Sequence, residues 1–350
     1  MSVHIIDLPR KIVVGNGVIA QAGRHLKELY PRGGGALVVT GPNVKKAVYG
    51  ELAESLEGSG LSSWSKVVEE ASLEVASEVA REALQDRVDV IVGLGGGKSI
   101  DVAKFAAKVA GKAFVSVPTA ASHDGISSPY ASLKGFERPI SKLAKPPDAI
   151  IVDISIVSSA PRRYNAAGFG DLLGKFTAVR DWKLAHLLKG EYYGDYAASL
   201  ALMSADHVST YHEEIAAGTA EGYRVLLEAL VSSGVAMCIA GSTRPASGSE
   251  HLFAHALNLI AKNPPLHGEA VGVGTIIMAE LHRLNWRRIR ALLKSVGAPT
   301  NAKELGVREE EVVEALMRAP AIRPERYTIL GDKPLEEKVA RRLAEKVEVI

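Results

Sequence analysis

The chain has few of the features that mark secreted, membrane-bound or nucleic-acid-binding proteins. Its 350 residues include a single cysteine, Cys238, so no disulfide can form within the chain. The formal net charge is only +2, and basic residues form short clusters such as Arg287, Arg288 and Arg290, which argues against nucleic-acid binding. The N-terminus lacks the pattern of a secretory signal, and we expect no stretch near the ~20 apolar residues that span a bilayer. The composition therefore predicts a cytoplasmic protein without membrane insertion.

Hydrophobic periodicity divides the chain into two predicted domains. Through residues 1–160, short β-branched runs alternate with segments of helical period, which predicts an α/β, Rossmann-like nucleotide-binding domain with a largely parallel sheet. Across residues 161–350, long Ala/Leu-rich segments predict an all-α domain, with Tyr327–Leu330 as a candidate strand. A helix is predicted over Glu74–Leu84 because its apolar residues share one face. The predicted strands of the first domain are Lys11–Val14, Ala36–Thr40, Trp64–Val68, Val88–Gly93, Ala113–Val117 and Ala149–Val152.

A glycine turn is the strongest local signal. The apolar run Val88–Gly93 leads into Gly95–Gly97 and then into a helical segment. Such a turn lets backbone N–H groups approach a phosphate at a helix N-terminus, so the pattern favours a dinucleotide pyrophosphate. Two familiar patterns fail, because a P-loop would need glycine in place of Val92 and the usual dinucleotide fingerprint would need glycine in place of Lys98. A tight turn that binds no ligand remains the alternative.

Small hydroxyl residues follow the next predicted strand. The loop Pro118–Pro129 contains Thr119, Ser122, Ser127 and Ser128. Ligands of open α/β sheets bind at the C-terminal ends of strands, which is where these side chains are expected. Read alone, the loop could equally be a polar turn.

Three histidines and an aspartate form a candidate metal site in the helical half. His251 and His255 are four residues apart and would share one face of a helix. His267 stands just before an apolar helix predicted over Ala270–Leu281, and Asp171 stands at a predicted helix start marked by glycines. A carboxylate with imidazoles suits zinc and similar divalent ions and leaves an open position for a substrate.

Other interpretations of these histidines are possible. A zinc protease is disfavoured, because Leu252 stands where the general-base glutamate would have to follow His251. Taken without the other two groups, His251 and His255 could equally be packed core residues. The addition of Asp171 and His267 favours the metal site.

The motifs together resemble the sn-glycerol-1-phosphate dehydrogenase family, within the superfamily of iron-type alcohol dehydrogenases, glycerol dehydrogenases and dehydroquinate synthases. The resemblance spans nearly the whole chain and implies a dehydroquinate synthase-like fold, in which the α/β domain is followed by an all-α metal-binding domain. The segments that carry it are Gly95–Asp101, Pro118–Ser132, Gly168–Lys175, Arg244–His251 and His267–Thr275.

The resemblance also implies the site residues. It implies one Zn2+ per subunit held by Asp171, His251 and His267. His255 and Asp124 are implied to contact the substrate, as is Asp171, and His255 is the candidate for relaying a proton. The implied cofactor-binding residues are Gly96, Gly97, Lys98, Ser99, Ile100 and Asp101 at the pyrophosphate, Thr119, Ala120, Ala121 and Ser122 beside the nucleotide, and Ser128 near the nicotinamide.

The implied reaction is the reduction of dihydroxyacetone phosphate by NADH or NADPH to sn-glycerol 1-phosphate, the backbone of archaeal membrane phospholipids. The resemblance also implies a homo-oligomer. Three alternatives remain open: a glycerol or other polyol dehydrogenase, a dehydroquinate synthase-type lyase, and a non-catalytic nucleotide-binding protein. The lyase family usually carries glutamate as its first metal ligand, so Asp171 argues against it.

Overall fold

The chain folds into two compact units. The computed structural model describes residues 3–31, 34–85, 87–135 and 141–350. The first unit, which we call the sheet unit, contains Met1–Ala121 and Gly125–Pro161. The second, which we call the helical unit, contains Ser122–Asp124 and Arg162–Ile350.

The sheet unit is built around a six-stranded parallel sheet. Its strands are β1 (Lys11–Gly15), β2 (Gly34–Thr40), β3 (Leu61–Val67), β4 (Val90–Gly95), β5 (Ala113–Pro118) and β8 (Ala149–Asp153), and the short strands β6 (Tyr130–Ser132) and β7 (Ser141–Leu143) form a separate antiparallel pair. The spatial order of the main sheet is β1-β8-β5-β4-β2-β3, and each neighbouring pair is parallel.

Helices lie between most of these strands, because parallel pairing requires long crossover connections, and one helix follows the last strand. They are α1 (Ala22–Leu29), α2 (Pro42–Val44), α3 (Gly50–Gly58), α4 (Leu73–Ala83), α5 (Gly97–Ala110) and α6 (Ile154–Ser159), with 3₁₀ turns at Val18–Gln21 and Asp124–Ile126 and a π-helical turn at Lys45–Tyr49. The largely parallel α/β architecture predicted from the sequence is confirmed.

The glycine turn lies between β4 and α5. All six residues of β4 are buried, as expected for a central parallel strand that is apolar on both faces. Gly95 ends the strand at a φ of 143°, a conformation that favours glycine. Thr119 donates its backbone N–H to the Gly95 carbonyl at 3.0 Å, so the turn and the end of β5 lie side by side. The first N–H groups of α5, which begins at Gly97, have no intrahelical partner and can bind an anion.

The helical unit consists of helices, most of them joined by short connections. They are α7 (Arg162–Leu173), α8 (Lys175–Lys189), α9 (Asp195–Thr210), α10 (His212–Ala217), α11 (Ala220–Ala240), α12 (Ser249–Ile260), α13 (His267–Leu281), α14 (Trp286–Ser295), α15 (Ala302–Leu305), α16 (Glu309–Ile322) and α17 (Glu337–Lys346). The prediction of a helical second half is confirmed.

One helix corrects an expectation from the sequence. α11 has 21 residues and, among the described residues, is the one helix long and apolar enough to cross a membrane. The expectation from the sequence is that no stretch approaches the ~20 apolar residues needed to span a bilayer. Glu221, Arg224 and Glu228 interrupt the apolar run near the start of this helix. Within the structure, 72% of its most apolar window is buried, so the helix contributes to the core of the helical unit.

Three local predictions were also wrong. Tyr327–Leu330 forms no strand, because its backbone is bound by side chains instead: Arg244 donates to the Tyr327 carbonyl and Asp181 accepts from the Ile329 N–H. Asp171 lies in the last turn of α7 and not at a helix start. The helix predicted to follow His267 begins at His267 itself.

A buried ion pair on α5 binds the backbone of β6 and of the 3₁₀ turn that precedes it. The Lys104 side chain is fully buried, and its Nζ lies 3.3 Å from Asp101 Oδ1. The same Nζ donates to the carbonyls of Gly125 and Tyr130 at 2.8 and 2.6 Å. Asp101 also accepts the Ser132 N–H at 3.0 Å. Asp101, a predicted cofactor-binding residue, thus makes structural bonds inside the sheet unit.

We expect Lys104→Met to lower the free energy of unfolding by about 3–5 kcal/mol, because the buried Asp101 carboxylate would lose its cation. Chemical denaturation followed by circular dichroism measures this change. Lys108→Met, at an exposed position on the same helix, is the matched control and should change stability by less than about 0.5 kcal/mol. A Lys104 variant as stable as the control would contradict the structural role.

Candidate metal centre

Three of the predicted site residues meet in the helical unit. One ligand atom from each of Asp171, His251 and His267 lies within 4.8 Å of the other two. His251 Nε2 is 3.3 Å from Asp171 Oδ1, and His267 Nε2 is 4.0 Å from the same oxygen. Asp171 is fully buried, whereas 39% of the His267 side chain is exposed. The three groups therefore converge on one point that is open on the His267 side.

Close packing of two helices places Asp171 beside His267. A Cβ added to Gly268 would lie 1.9 Å from the Ala167 carbonyl oxygen, and one added to Gly170 would lie 2.4 Å from the Gly268 carbonyl oxygen. No side chain fits at either position, so the backbones of α7 and α13 touch where these helices carry the two ligands. The glycines next to Asp171 and His267 thus have a packing role.

Glu250 orients the His251 ring. Its Oε1 accepts from His251 Nδ1 at 2.7 Å and from the Gly248 N–H at 2.6 Å, and its Oε2 accepts from the Thr177 hydroxyl at 2.6 Å. With Nδ1 bonded to Glu250, Nε2 is the ring nitrogen that faces Asp171 and would bind a metal ion. Carboxylate–histidine pairs of this kind commonly support metal ligands.

A buried lysine joins Asp171 to Asp124. Lys175 is fully buried, and its Nζ lies 2.9 Å from Asp124 Oδ2 and 3.4 Å from Asp171 Oδ1. The Asp124 N–H donates to Asp171 Oδ2 at 2.9 Å, and the Ser233 hydroxyl donates to Asp124 Oδ2 at 2.7 Å. Asp124, a predicted catalytic residue, is therefore held next to the candidate metal ligands.

Burial and neighbouring charged groups together shift the pKa values in this cluster. Although burial opposes its ionisation, Lys175 and the two histidines hold the pKa of Asp171 well below its usual range. Burial likewise opposes the charge of His251, but hydrogen bonds with Asp171 and Glu250 raise the pKa of that imidazole. Partial burial and the neighbouring His251 lower the pKa of His267 to about 3, against the opposing effect of Asp171.

His255 lies one helical turn beyond His251 on α12. Its ring centroid is 6.4 Å from that of His251 and 5.7 Å from that of His267. Burial and the two neighbouring histidines lower the pKa of His255 well below its usual value, so it is a neutral imidazole at pH 7. A neutral ring still offers one N–H donor and one acceptor to a bound molecule.

The donor set fits a divalent transition-metal ion. One carboxylate and two imidazoles make a three-ligand site, and such sites leave a further coordination position for water or substrate. The hydrogen bond from His251 to Glu250 leaves the outer nitrogen of the ring available as a ligand. Zinc and iron both accept these donors, so the geometry agrees with either metal.

The predicted cofactor-binding residues are distributed over both units. Gly96 and Gly97 are half-buried in the glycine turn, Lys98 is exposed, and Ser99, Ile100 and Asp101 are buried along α5. Thr119, Ala120 and Ala121 follow β5, and buried Ser128 is bonded to the backbone of Tyr130. These residues belong to the sheet unit, and Ser122 belongs to the helical unit.

Sequence analysis did not identify Glu250, Lys175 or Asp181. Asp181 is fully buried, accepts from the Ser249 N–H at 2.6 Å and from the Ile329 N–H at 2.7 Å, and lies 3.0 Å from His282 Nε2. It thereby fixes the first residue of α12, which carries His251. The adjacency of Glu250 to His251 and the four-residue spacing of Asp171 and Lys175 were the available signals, but neither spacing shows that the side chains are buried.

Comparison with known proteins first shows the class of protein that shares this fold. A family model described as iron-containing alcohol dehydrogenase matches residues 13–161. The crystal structure of glycerol dehydrogenase from Schizosaccharomyces pombe has the same fold, with a TM-score of 0.81 over 98% of this chain and 90% of that chain at 22% identity. The fold is therefore that of the iron-containing alcohol dehydrogenases.

Two closer relatives define the family. A protein from Aeropyrum pernix named glycerol-1-phosphate dehydrogenase (NAD(P)+) is 66% identical, over 100% of this chain and 99% of its own length. A protein of the same name from Hyperthermus butylicus is 52% identical over 99% of both chains. The chain belongs to the glycerol-1-phosphate dehydrogenase family. The resemblance inferred from the sequence is thus confirmed, and with it the prediction of a dehydrogenase.

We expect Glu250→Gln to destabilise the metal-free protein by about 1–3 kcal/mol near neutral pH, because the carboxylate accepts three hydrogen bonds in a buried position. Hydrogen bonding with His251 holds the pKa of Glu250 below its ordinary 4.5 despite its burial. The ionised carboxylate therefore contributes fully to the free energy of unfolding above pH 4.5. This contribution is lost as the pH falls below that value.

Urea denaturation at about pH 7, 5 and 3.5 measures this dependence. The difference in free energy of unfolding between wild type and variant should be similar at the two higher pH values and smaller at the lowest pH. Glu345→Gln, an exposed position on α17, serves as the control. A difference that stayed constant at all three values would contradict an ionised Glu250.

Proposed function

We propose that this chain reduces dihydroxyacetone phosphate to sn-glycerol 1-phosphate with NADH or NADPH. The observation that carries the proposal is 66% identity over the whole chain to a relative named for glycerol-1-phosphate. The convergence of Asp171, His251 and His267 supports it, because a carbonyl reduction needs an electrophile beside the substrate oxygen. The product is a backbone for membrane phospholipids, and we place the enzyme in their biosynthesis.

The metal in our proposal is zinc, one ion per subunit, with Asp171, His251 and His267 as its protein ligands. When bound, the metal polarises the substrate carbonyl as a Lewis acid and the nicotinamide supplies the hydride. Glu250 supports this arrangement by fixing the tautomer and angle of His251. Lys175 supports it by holding Asp171 ionised in a buried position.

Asp124 and His255 are our candidates for direct contact with the substrate, together with Asp171. Asp124 is bound by Lys175 and Ser233, so its carboxylate is held in one orientation. His255 offers a ring N–H, and we assign it the delivery of a proton to the alkoxide through substrate or water. Because its pKa is lowered, the ring is neutral and acts as a relay: one ring nitrogen donates its proton while the other accepts a proton from solvent.

The proposed cofactor site is the turn at the N-terminus of α5. The N–H groups there, at Gly96, Gly97 and Lys98, suit a pyrophosphate. We assign Ser99, Thr119, Ala120, Ala121, Ser122 and Ser128 to the remainder of the cofactor site on the basis of the family resemblance. We further propose a cytoplasmic homo-oligomer.

The test of the reaction is oxidation of NADH and NADPH by zinc-loaded protein with dihydroxyacetone phosphate, beside unphosphorylated dihydroxyacetone. We expect kcat/KM at least about 100-fold higher for the phosphate ester, since a site that binds a charged group discriminates strongly against a substrate that lacks it. Enantiomer-specific assays should identify the product as the sn-1 isomer.

The other outcomes separate the alternatives. Equal or faster reduction of dihydroxyacetone would favour a polyol dehydrogenase, which the shared fold with glycerol dehydrogenases makes the second candidate. No reduction of either ketone would overturn the proposal, and turnover of a dehydroquinate synthase substrate would then be tested before a non-catalytic role is accepted.

Removal of the metal should abolish activity. We expect a chelator to reduce the rate to background and zinc to restore it, while His267→Asn lowers the metal content well below one ion per chain because only two protein ligands remain. His207→Asn, at an exposed position on α9, is the control and should keep its metal. Elemental analysis measures the stoichiometry, and full metal content in the His267 variant would refute the ligand assignment.

A further inference from the structure

The first turn of α12 is held by α8 at two points. The Ser249 N–H donates to Asp181 Oδ2 at 2.6 Å, and the Thr177 hydroxyl donates to Glu250 Oε2 at the same distance. Thr177 and Asp181 are four residues apart on α8, so their side chains lie on one face of that helix. His251 follows Ser249 by two residues. The position of this candidate ligand is therefore set where α12 begins.

The carboxylate of Asp181 is itself held from two further directions. Asp181 is fully buried, and its Oδ1 accepts the Ile329 N–H at 2.7 Å and lies 3.0 Å from His282 Nε2. His282 is the C-cap residue of α13, and Ile329 belongs to the segment that follows α16. Three segments other than α8 thus meet at one carboxylate. A group held in this way provides a fixed point for the start of α12.

The start of α12 depends on this fixed point because its N-cap residue supplies no side-chain cap. That residue is Gly248, which has no oxygen to accept the N–H groups of the first turn. A Cβ added to Gly248 would lie 2.6 Å from Asp181 Oδ2 and 2.7 Å from the Ala178 Cα, so α8 lies directly against the helix start. The Ser249 hydroxyl has no hydrogen-bond partner among the described residues, which leaves the backbone N–H of Ser249 as the group that Asp181 holds.

We propose that Asp181 is a positioning residue for metal binding, which acts on His251 through the Ser249 N–H. Loss of this bond would let the first turn of α12 shift, and that turn contains His251, whose Nε2 lies 3.3 Å from Asp171 Oδ1. Metal affinity falls when the groups that orient a ligand are removed. The inference rests on the proposed function only for the ligand set of Asp171, His251 and His267.

The test measures the zinc affinity of full-length wild type, Asp181→Asn and Gly248→Ala by competition with a chelator. Asp181→Asn keeps the shape of the side chain and removes its charge, whereas Gly248→Ala keeps Asp181 and forces the helix start away from α8. We expect zinc affinity to fall about 10-fold in each variant, the lower end of the range for groups that support a metal ligand. The visible absorption of the cobalt-loaded protein should change in the same two variants, because it depends on the coordination geometry.

Three control variants separate positioning from a loss of stability alone. His282→Gln removes a different contact of the same carboxylate, and Ser249→Ala removes the hydroxyl and keeps the N–H. Both should keep the cobalt spectrum of the wild type and a zinc affinity within about two-fold of it, although His282→Gln should lower the free energy of unfolding. Asp206→Asn, at an exposed position on α9, controls for the loss of one negative charge.

The outcomes distinguish this inference from the proposed function. Unchanged zinc affinity in Asp181→Asn would overturn the inference, as would an equal loss in Asp181→Asn and His282→Gln, because destabilisation alone would then weaken the site. Gly248→Ala decides the question if Asp181→Asn does not fold. The measurements need no turnover, so weaker zinc binding in Asp181→Asn would support the inference even if the wild type reduced no dihydroxyacetone phosphate. That result would overturn only the proposed function, whereas a wild type that binds no zinc would overturn both.

Discussion

The direct contact between the backbones of α7 and α13 is the constraint on which the candidate metal centre depends. Gly170 and Gly268 have no room for a side chain, so the helices approach to a distance that larger residues forbid. Asp171 and His267 are their immediate neighbours in the sequence and are brought together by that approach. A residue with a Cβ at either glycine would clash with the facing backbone and push the two candidate ligands apart.

The buried charges around Asp171 are arranged so that each carboxylate has a donor. Asp124, Asp171 and Glu250 carry three negative charges, and Lys175 supplies one positive charge. Histidines bind a metal ion as neutral imidazoles, and with the imidazoles neutral the cluster has an excess of two negative charges. An isolated buried cluster of this kind would be unstable, and a divalent cation neutralises it. Even with the positive charge of Lys175, the net charge of the cluster therefore suits a doubly charged metal ion.

The sequence predicted those parts of the structure that depend on local pattern. β-Branched runs marked the strands of the parallel sheet, with boundaries such as those of β4 displaced by two residues. Asp171 was misplaced because Gly168 and Gly170 resemble helix breakers, whereas α7 uses Gly170 for packing against α13. The roles of Glu250 and Lys175 depend on burial, and burial is set by helices far apart in the chain. The local sequence pattern does not indicate contacts between residues that are far apart in the chain.

The hydrogen bond between Asp181 and Ile329 joins two residues that are synthesised far apart in time. The two residues are separated by 148 positions, and Asp181 also holds the Ser249 N–H at the start of α12. Residues as far as Ile329 must therefore be synthesised before this carboxylate acquires all its native partners. Until then Asp181 lacks one of its native partners, and contacts of such long range form slowly. A segment synthesised 148 residues after Asp181 thus supplies the final bond to the carboxylate that holds the start of α12.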